Sequence, residues 1–325
     1  MSVTPPFDER MPFTGELIAL GVAMIWTVTA LFAEVASKHI GSMGVNVSRM
    51  ILSLIFLSVT LWFSTGTPYP SHTDGDTWLW LGLSGLVGYT FGDYFLFKSY
   101  ILVGSKFGQL FMTLSAPSAA LAGWLLLGQR MSLFALLGMV ITLTGISISI
   151  LGRDANDDTH SHHRLHFQLP AHGILCGVLA GIGQGVGLVL SGKGMESYVA
   201  NIPEGEEAVR SMVPFASTFI RAVFGAVSFL TLMAIRKDFG SLKRLLHDRT
   251  AIISTLGATI TGPFIGVSLS LMAVSYTAAG IAQTLMALTP VFILLPSSLI
   301  FGQKVTLKEV IGAVIAVGGV ALFFI

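Results

Sequence analysis

The sequence predicts an all-α integral membrane protein with ten transmembrane helices, arranged as two inverted five-helix repeats. Three observations point there. The 325 residues are 53% hydrophobic and only 11% charged, against about 25% charged in soluble domains, too few charges to build a water-facing surface. Ten apolar windows of roughly bilayer-spanning length follow one another along the chain. The second half then repeats residues of the first at one fixed offset.

The windows fall at 17–33, 43–63, 78–101, 107–127 and 131–151, then at 173–190, 212–235, 252–276, 281–301 and 310–325. Helix is the expected state for each, because lipid leaves unpaired backbone groups unsatisfied and an alternating barrel pattern is absent. A tail, 1–14, precedes them. Asp8, Glu9 and Arg10 stand before the first window, unlike the positive start of a secretory signal, so that window is expected to remain as a helix. Trp78 and Trp80 adjoin Asp74 and Asp76, as interfacial anchors do. A polar linker, 153–170, divides the first repeat, 15–152, from the second, 171–325. Its His160, His162, His163 and His166 lie near Asp157 and Asp158; a solvated loop is expected there rather than a dedicated metal site. No metal or cofactor is expected. Cys176 is the single cysteine, which excludes a disulfide framework, and a net charge of +1 gives no sign of nucleic-acid binding.

A shift of 174 positions pairs Gly88 with Gly262, Gly92 with Gly266, Gln109 with Gln283, Gly128-Gln129 with Gly302-Gln303, Gly138 with Gly312 and Gly145 with Gly319. Arg130 and Lys304 follow the paired glutamines. An odd number of spans per copy makes the second copy enter the membrane upside down. Inverted repeats let one scaffold open to either side in turn, with the substrate site near the midplane between halves. The expected function is a secondary transporter that moves a small solute by alternating access.

The chain resembles the drug/metabolite transporter superfamily, in particular its EamA-type ten-helix members, from about Gly15 to Ile325. The resemblance rests on Trp26, on an arginine early in the second helix of each half (Arg49 and Arg221), and on Leu285 to Pro290 leading into Leu299-Ile-Phe-Gly-Gln-Lys. The family commonly has glutamate where Gln129 and Gln303 stand, and Pro117 lies one residue beyond the position matching Pro290. The resemblance implies transport of a small metabolite such as an amino acid, a nucleotide-type compound or another organic solute, through a multi-pass protein of the cell (inner) membrane.

Asp93 is the sharpest candidate site residue, because a carboxylate deep in a span is costly unless paired, protonated or facing water. It either couples transport to protons or forms a structural ion pair. Arg49 and Arg221 are its counter-charges; each either binds an anionic group or locks a helix. Lys98 and Lys106, near span ends, are expected to snorkel to the interface. Gln109, Gln283 and Gln184 need partners within apolar helices, and Trp26, Tyr100 and Tyr276 are candidate pocket walls. Gly88 with Gly92 and Gly262 with Gly266 allow close helix approach, Pro263 and Pro290 interrupt helices, and Gly183, Gly185 and Gly187 make the sixth span a candidate bending element.

Basic residues in the loop after the seventh span (Arg236, Lys237, Lys243, Arg244, Arg249) and Arg153 and Arg164 in the linker place both loops in the cytoplasm. The resemblance implies cytoplasmic termini, the opposite orientation. Expected partners are the solute, membrane lipids and protons as coupling ion, in a monomer or homodimer. The competing classes are an intramembrane enzyme, which would need paired acids, a metal set or a Ser and His pair at membrane depth, and a non-transporting sensor or scaffold. No catalytic residue is expected.

Overall fold

A computed structural model describes residues 13–127, 133–151, 169–276, 285–302 and 305–322. Every regular element among them is helical. In the first half these are α1 (Thr14–Thr65), α2 (Gly75–Ser84), a π-helical stretch (Gly85–Asp93), α3 (Tyr94–Phe111), a 3-10 turn (Met112–Leu114), α4 (Ser115–Leu127) and α5 (Leu133–Leu151). The second half has α6 (Ala171–Ala200), α7 (Glu207–Ser211), α8 (Val213–Arg236), α9 (Gly240–His247), α10 (Arg249–Thr259), a second π-helical stretch (Ile260–Phe264), α11 (Ile265–Tyr276), α12 (Thr289–Phe292), α13 (Leu294–Phe301) and α14 (Leu307–Ala321). Five helical runs, Thr14–Thr65, Gly75–Leu126, Ala171–Ala200, Val213–Arg236 and Arg249–Ala273, are long and apolar enough to cross a membrane.

The two longest runs are broken by glycine. At 1.5 Å per residue the 52 residues of α1 would extend about 78 Å if straight, more than twice a hydrocarbon core of about 30 Å. Gly41 interrupts it with φ 80° and ψ 158°, and Gly104 interrupts α3 with φ 82° and ψ 162°, backbone that only glycine adopts without strain. Near the first break, Asp248 caps α10 and meets His39 at 2.6 Å; this contact and the capped backbone amides hold the Asp248 carboxyl below the usual carboxylate range.

Small residues set the packing, since lipid gives helices no hydrophobic reason to associate and close van der Waals contact must do it instead. The first helix of each half lies on the third segment of the other. Gly183 and Gly187 of α6 abut Gly92 and Gly88, while Gly262 and Gly266 abut Thr29 and Trp26 of α1. Gly185 of the same α6 faces the backbone of Ser115 and Ala119. α6 runs unbroken for 30 residues, so Gly183, Gly185 and Gly187 act here as contact surfaces; nothing in the helix geometry marks a bend. Pro263 sits inside the second π-helical stretch, and Pro290 in the first turn of α12.

Gly41→Ala and Gly104→Ala are each expected to cost about 1–3 kcal/mol through forced backbone strain. Gly21→Ala, helical with open space around it, should be neutral or slightly stabilising. Thermal unfolding in detergent compares the three; equal effects would show that the breaks carry no conformational demand.

Candidate functional site

Asp93 ends the first π-helical stretch and is 5% exposed. A π-bulge widens the turn and re-aims side chains, which is why such segments recur at functional sites. One carboxylate oxygen accepts from Arg49 Nη2 at 2.7 Å, the other from Gln184 Nε2 at 2.5 Å. The Gln184 amide also donates to the Gly88 carbonyl at 3.1 Å, so it spans the π-helical turn between Gly88 and Asp93. Gly92 has no side chain because a Cβ there would meet the Gln184 amide nitrogen at 3.1 Å. Asn46 of α1 donates to the Asp93 carbonyl at 3.5 Å. Arg49 reaches Asp93 from the far side of the Gly41 break and lies 4.4 Å from the Phe97 ring centroid.

These groups border a cavity of about 120 Å³ lined by both halves. Trp26, Arg49, Tyr89, Asp93, Tyr100 and Gln109 come from the first half, and Gln184, Pro263, Val267, Met286, Thr289 and Val320 from the second. Gln109 satisfies its amide by donating to the Tyr100 hydroxyl at 2.7 Å. Val267, the repeat mate of Asp93, lines the same space, so the cavity holds a carboxylate on one side of the repeat relation and a hydrocarbon on the other.

Arg221 is 5% exposed, packed 4.7 Å from the Tyr89 ring centroid, and a Cβ on Gly88 would approach its Nη2 to 3.1 Å. Lys98 is half-buried at 6.0 Å from the Tyr94 ring centroid, and Tyr276 closes α11; neither lines the cavity. Gln283, the Gln129 and Gln303 pair and the histidines of the linker lie outside the described residues.

Lys106 does not snorkel. It is 4% exposed and donates to both carboxylate oxygens of Glu309, at 3.1 and 3.2 Å. Glu309 also closes a capping box with Thr306 at the start of α14. Beside this pair, fully buried Glu34 accepts from the Ser105 backbone amide at 2.6 Å, just past the Gly104 break, and from Lys38 at 2.5 Å. The expected windows end at 33 and begin at 310, so Glu34 and Glu309 fall just outside them and hydropathy gives no sign of this cluster. The Thr306-x-x-Glu309 spacing was the available signal.

Lys106→Met alone strands a buried carboxylate and is expected to cost about 3–5 kcal/mol. Lys106→Met with Glu309→Gln should recover most of that, because no charge remains. Thermal unfolding of both variants decides it; a double variant no better than the single would mean that the ion pair is not what fails.

A model of the EamA-like transporter family matches residues 13–151 and, a second time, 171–325. No curated protein matches the chain. Among solved structures, one described only as "Crystal structure of protein" is similar over 95% of this chain and 96% of its own, with a TM-score of 0.57 and 15% sequence identity; at that identity the likeness is one of fold alone.

Proposed function

We propose that this chain, which belongs to the EamA-like transporter family of the drug/metabolite transporter superfamily, is a secondary carrier of a small organic solute that works by alternating access. The observation that carries this reading is the cavity shared by the two halves, with a buried Arg49–Asp93 pair in its wall. A carboxylate so placed is expensive in hydrocarbon and calls for a working role.

Ten spans follow if the Gly41 and Gly104 breaks each divide a run into two limbs and the shorter helical segments α5, α12 with α13, and α14 cross as well. An inverted relation is supported by contacts that map onto themselves under the 174-residue shift. Gly145 abuts Ala316 while Gly319 abuts Thr142, and Gly145 faces the Gly312 carbonyl while Gly319 faces that of Gly138. In each case the shift exchanges the two partners, as a two-fold axis between copies does. With five spans per copy, that axis lies in the membrane plane, and the two halves have two equivalent ways to lean on one another.

The charges break this equivalence. Lys106 and Glu309 correspond by the shift to Gly280 and Ala135, so the ion pair that ties the halves together has no charged copy at the other face. Separation of the two halves at Lys106–Glu309 requires that pair to part. Proton coupling runs through Asp93: protonated, it no longer holds Arg49 as a counter-ion, so proton and solute occupancy are linked. The protein works in the cell (inner) membrane and is not an enzyme.

Purified protein in vesicles should take up at least one member of a labelled panel of small metabolites, above empty vesicles, and a pH gradient should drive accumulation. Asp93→Asn should still exchange solute but lose the response to the gradient. No flux for any solute would remove the carrier reading; accumulation by Asp93→Asn fully driven by pH would remove the coupling role.

A further inference from the structure

Where α8 ends, two cations from different halves share one aromatic ring. Arg236, in the last turn of α8, donates from Nη1 to the Tyr94 hydroxyl at 2.7 Å, with its guanidinium carbon 5.2 Å from the Tyr94 ring centroid. Lys98, one turn beyond Tyr94 on α3, brings its ammonium to 6.0 Å from the same centroid. Arg236 is exposed and Lys98 half-buried, so the pair is open to what surrounds the bundle. Among the described residues no carboxylate forms a salt bridge with Arg236, Lys98 or the adjoining Lys237. Between Ile235 and Arg249 the chain carries Arg236, Lys237, Lys243, Arg244 and Arg249 against Asp238 and Asp248, and Asp248 is taken by His39 and by the start of α10. Lys237 holds φ 54°, the left-handed backbone at which helices usually stop on glycine, so a cation is kept where glycine would strain less. Like charges gathered at one ring repel unless an anion joins them.

The surroundings say what kind of anion. Thr90 and Ser228 share a hydrogen bond, and two turns later Arg236 meets Tyr94, so α8 lies along the third segment of the first half. Ile235 is seven residues from Ser228 and therefore on the same side of α8, yet it is 72% exposed. Phe91, next to Thr90, is 39% exposed, and rings run from Phe91 to Phe95 at 4.9 Å and from Phe95 to Tyr94 at 5.3 Å. On a helix long and apolar enough to cross a membrane, such side chains face hydrocarbon, and the first charge after them stands at the level of the headgroups. An apolar seam thus leads to unpaired cations. A free anion would use the cations alone; a molecule with acyl chains and an anionic head uses both.

We infer that the seam between α3 and α8 binds an anionic phospholipid, with its phosphate between Arg236 and Lys98 and its chains along Phe91 and Ile235. The Tyr94 hydroxyl accepts one N–H of Arg236 and fixes the guanidinium, leaving the rest of the fork for phosphate oxygens. Lys98 and Lys237 add point charge. Basic pockets between membrane helices hold anionic headgroups on the same principle. Tyr94 and Lys98 belong to the first half and Arg236 to the second, so a bound lipid bridges the two. The inference does not depend on the carrier reading, and the cavity plays no part in it.

The test is thermal unfolding of the purified full-length protein in detergent with phosphatidylglycerol, phosphatidylcholine of the same chains, or glycerol 3-phosphate, at constant ionic strength. Phosphatidylglycerol is expected to raise the midpoint in a saturable way, phosphatidylcholine to do so more weakly, and glycerol 3-phosphate not at all. Arg236→Gln should weaken the apparent affinity for phosphatidylglycerol about tenfold or more, the loss of one charge-assisted hydrogen bond. Arg236→Gln with Lys98→Gln should remove the preference over phosphatidylcholine. Lys243→Gln with Arg244→Gln takes the same number of charges from the neighbouring α9 and should leave that preference in place. Native mass spectrometry of lipid retained through delipidation makes the same comparison for a variant whose own stability has shifted. Three results would overturn the inference. Equal responses to the two lipids would mean that the head charge is not read, and equal losses in the two double variants would reduce the effect to a diffuse field. A response to glycerol 3-phosphate matching that to phosphatidylglycerol would make this a site for free anions.

Discussion

Hydrocarbon offers a buried charge no water, and the arrangement between the halves follows from that constraint. Asp93 can exist at its depth because Arg49 and Gln184 each supply a donor, and both need the backbone around them to be unusual. Arg49 approaches from the second limb of α1, beyond the Gly41 break. Gln184 sits on a helix whose glycines allow it to lie against Gly88 and Gly92. Asp93 itself ends a stretch of π-helix. The small-residue contacts, the glycine breaks and the widened turns therefore serve one end, which is to bring three polar side chains from three segments to one point in an apolar medium.

The same constraint separates the two kinds of buried charge in the molecule. Lys106 and Glu309 satisfy each other, and Glu309 further caps its own helix; this pair joins elements and leaves nothing over. The Arg49–Asp93 pair lies in the wall of a cavity, and Arg49 Nε there has no hydrogen-bond partner. The repeat relation sharpens the contrast, for Asp93 faces Val267 across it and Lys106 has Gly280 as its mate. The two halves share a scaffold and differ in charge.

Much of this was legible in the sequence, and the part that was not has a physical cause. The constant 174-residue offset is carried by glycines at helix contacts, so it named residues that the structure places against neighbouring helices: Gly88, Gly92, Gly262, Gly266, Gly145, Gly312 and Gly319. Depth within an apolar window singled out Asp93, Arg49, Arg221 and Gln184, since polar groups there are conspicuous. Glu34 and Glu309 escaped notice and Lys106 was expected to snorkel because hydropathy windows end at charges, and a charge at a window edge looks the same whether it reaches water or turns inward to a partner. Tyr89 gave no signal, because an aromatic in a membrane helix is ordinary until its hydroxyl is found enclosed. Nor does any local pattern of residues announce a π-helical turn.

Whether the shared cavity opens to both faces in turn can be measured directly. With Cys176 replaced by serine, Thr113→Cys places one thiol in the cavity wall, and membrane-impermeant maleimides can be applied to either face of sealed vesicles. The account predicts modification from both faces, with transported solute shifting the balance between them. Modification from one face only, whatever the solute or pH, would contradict it.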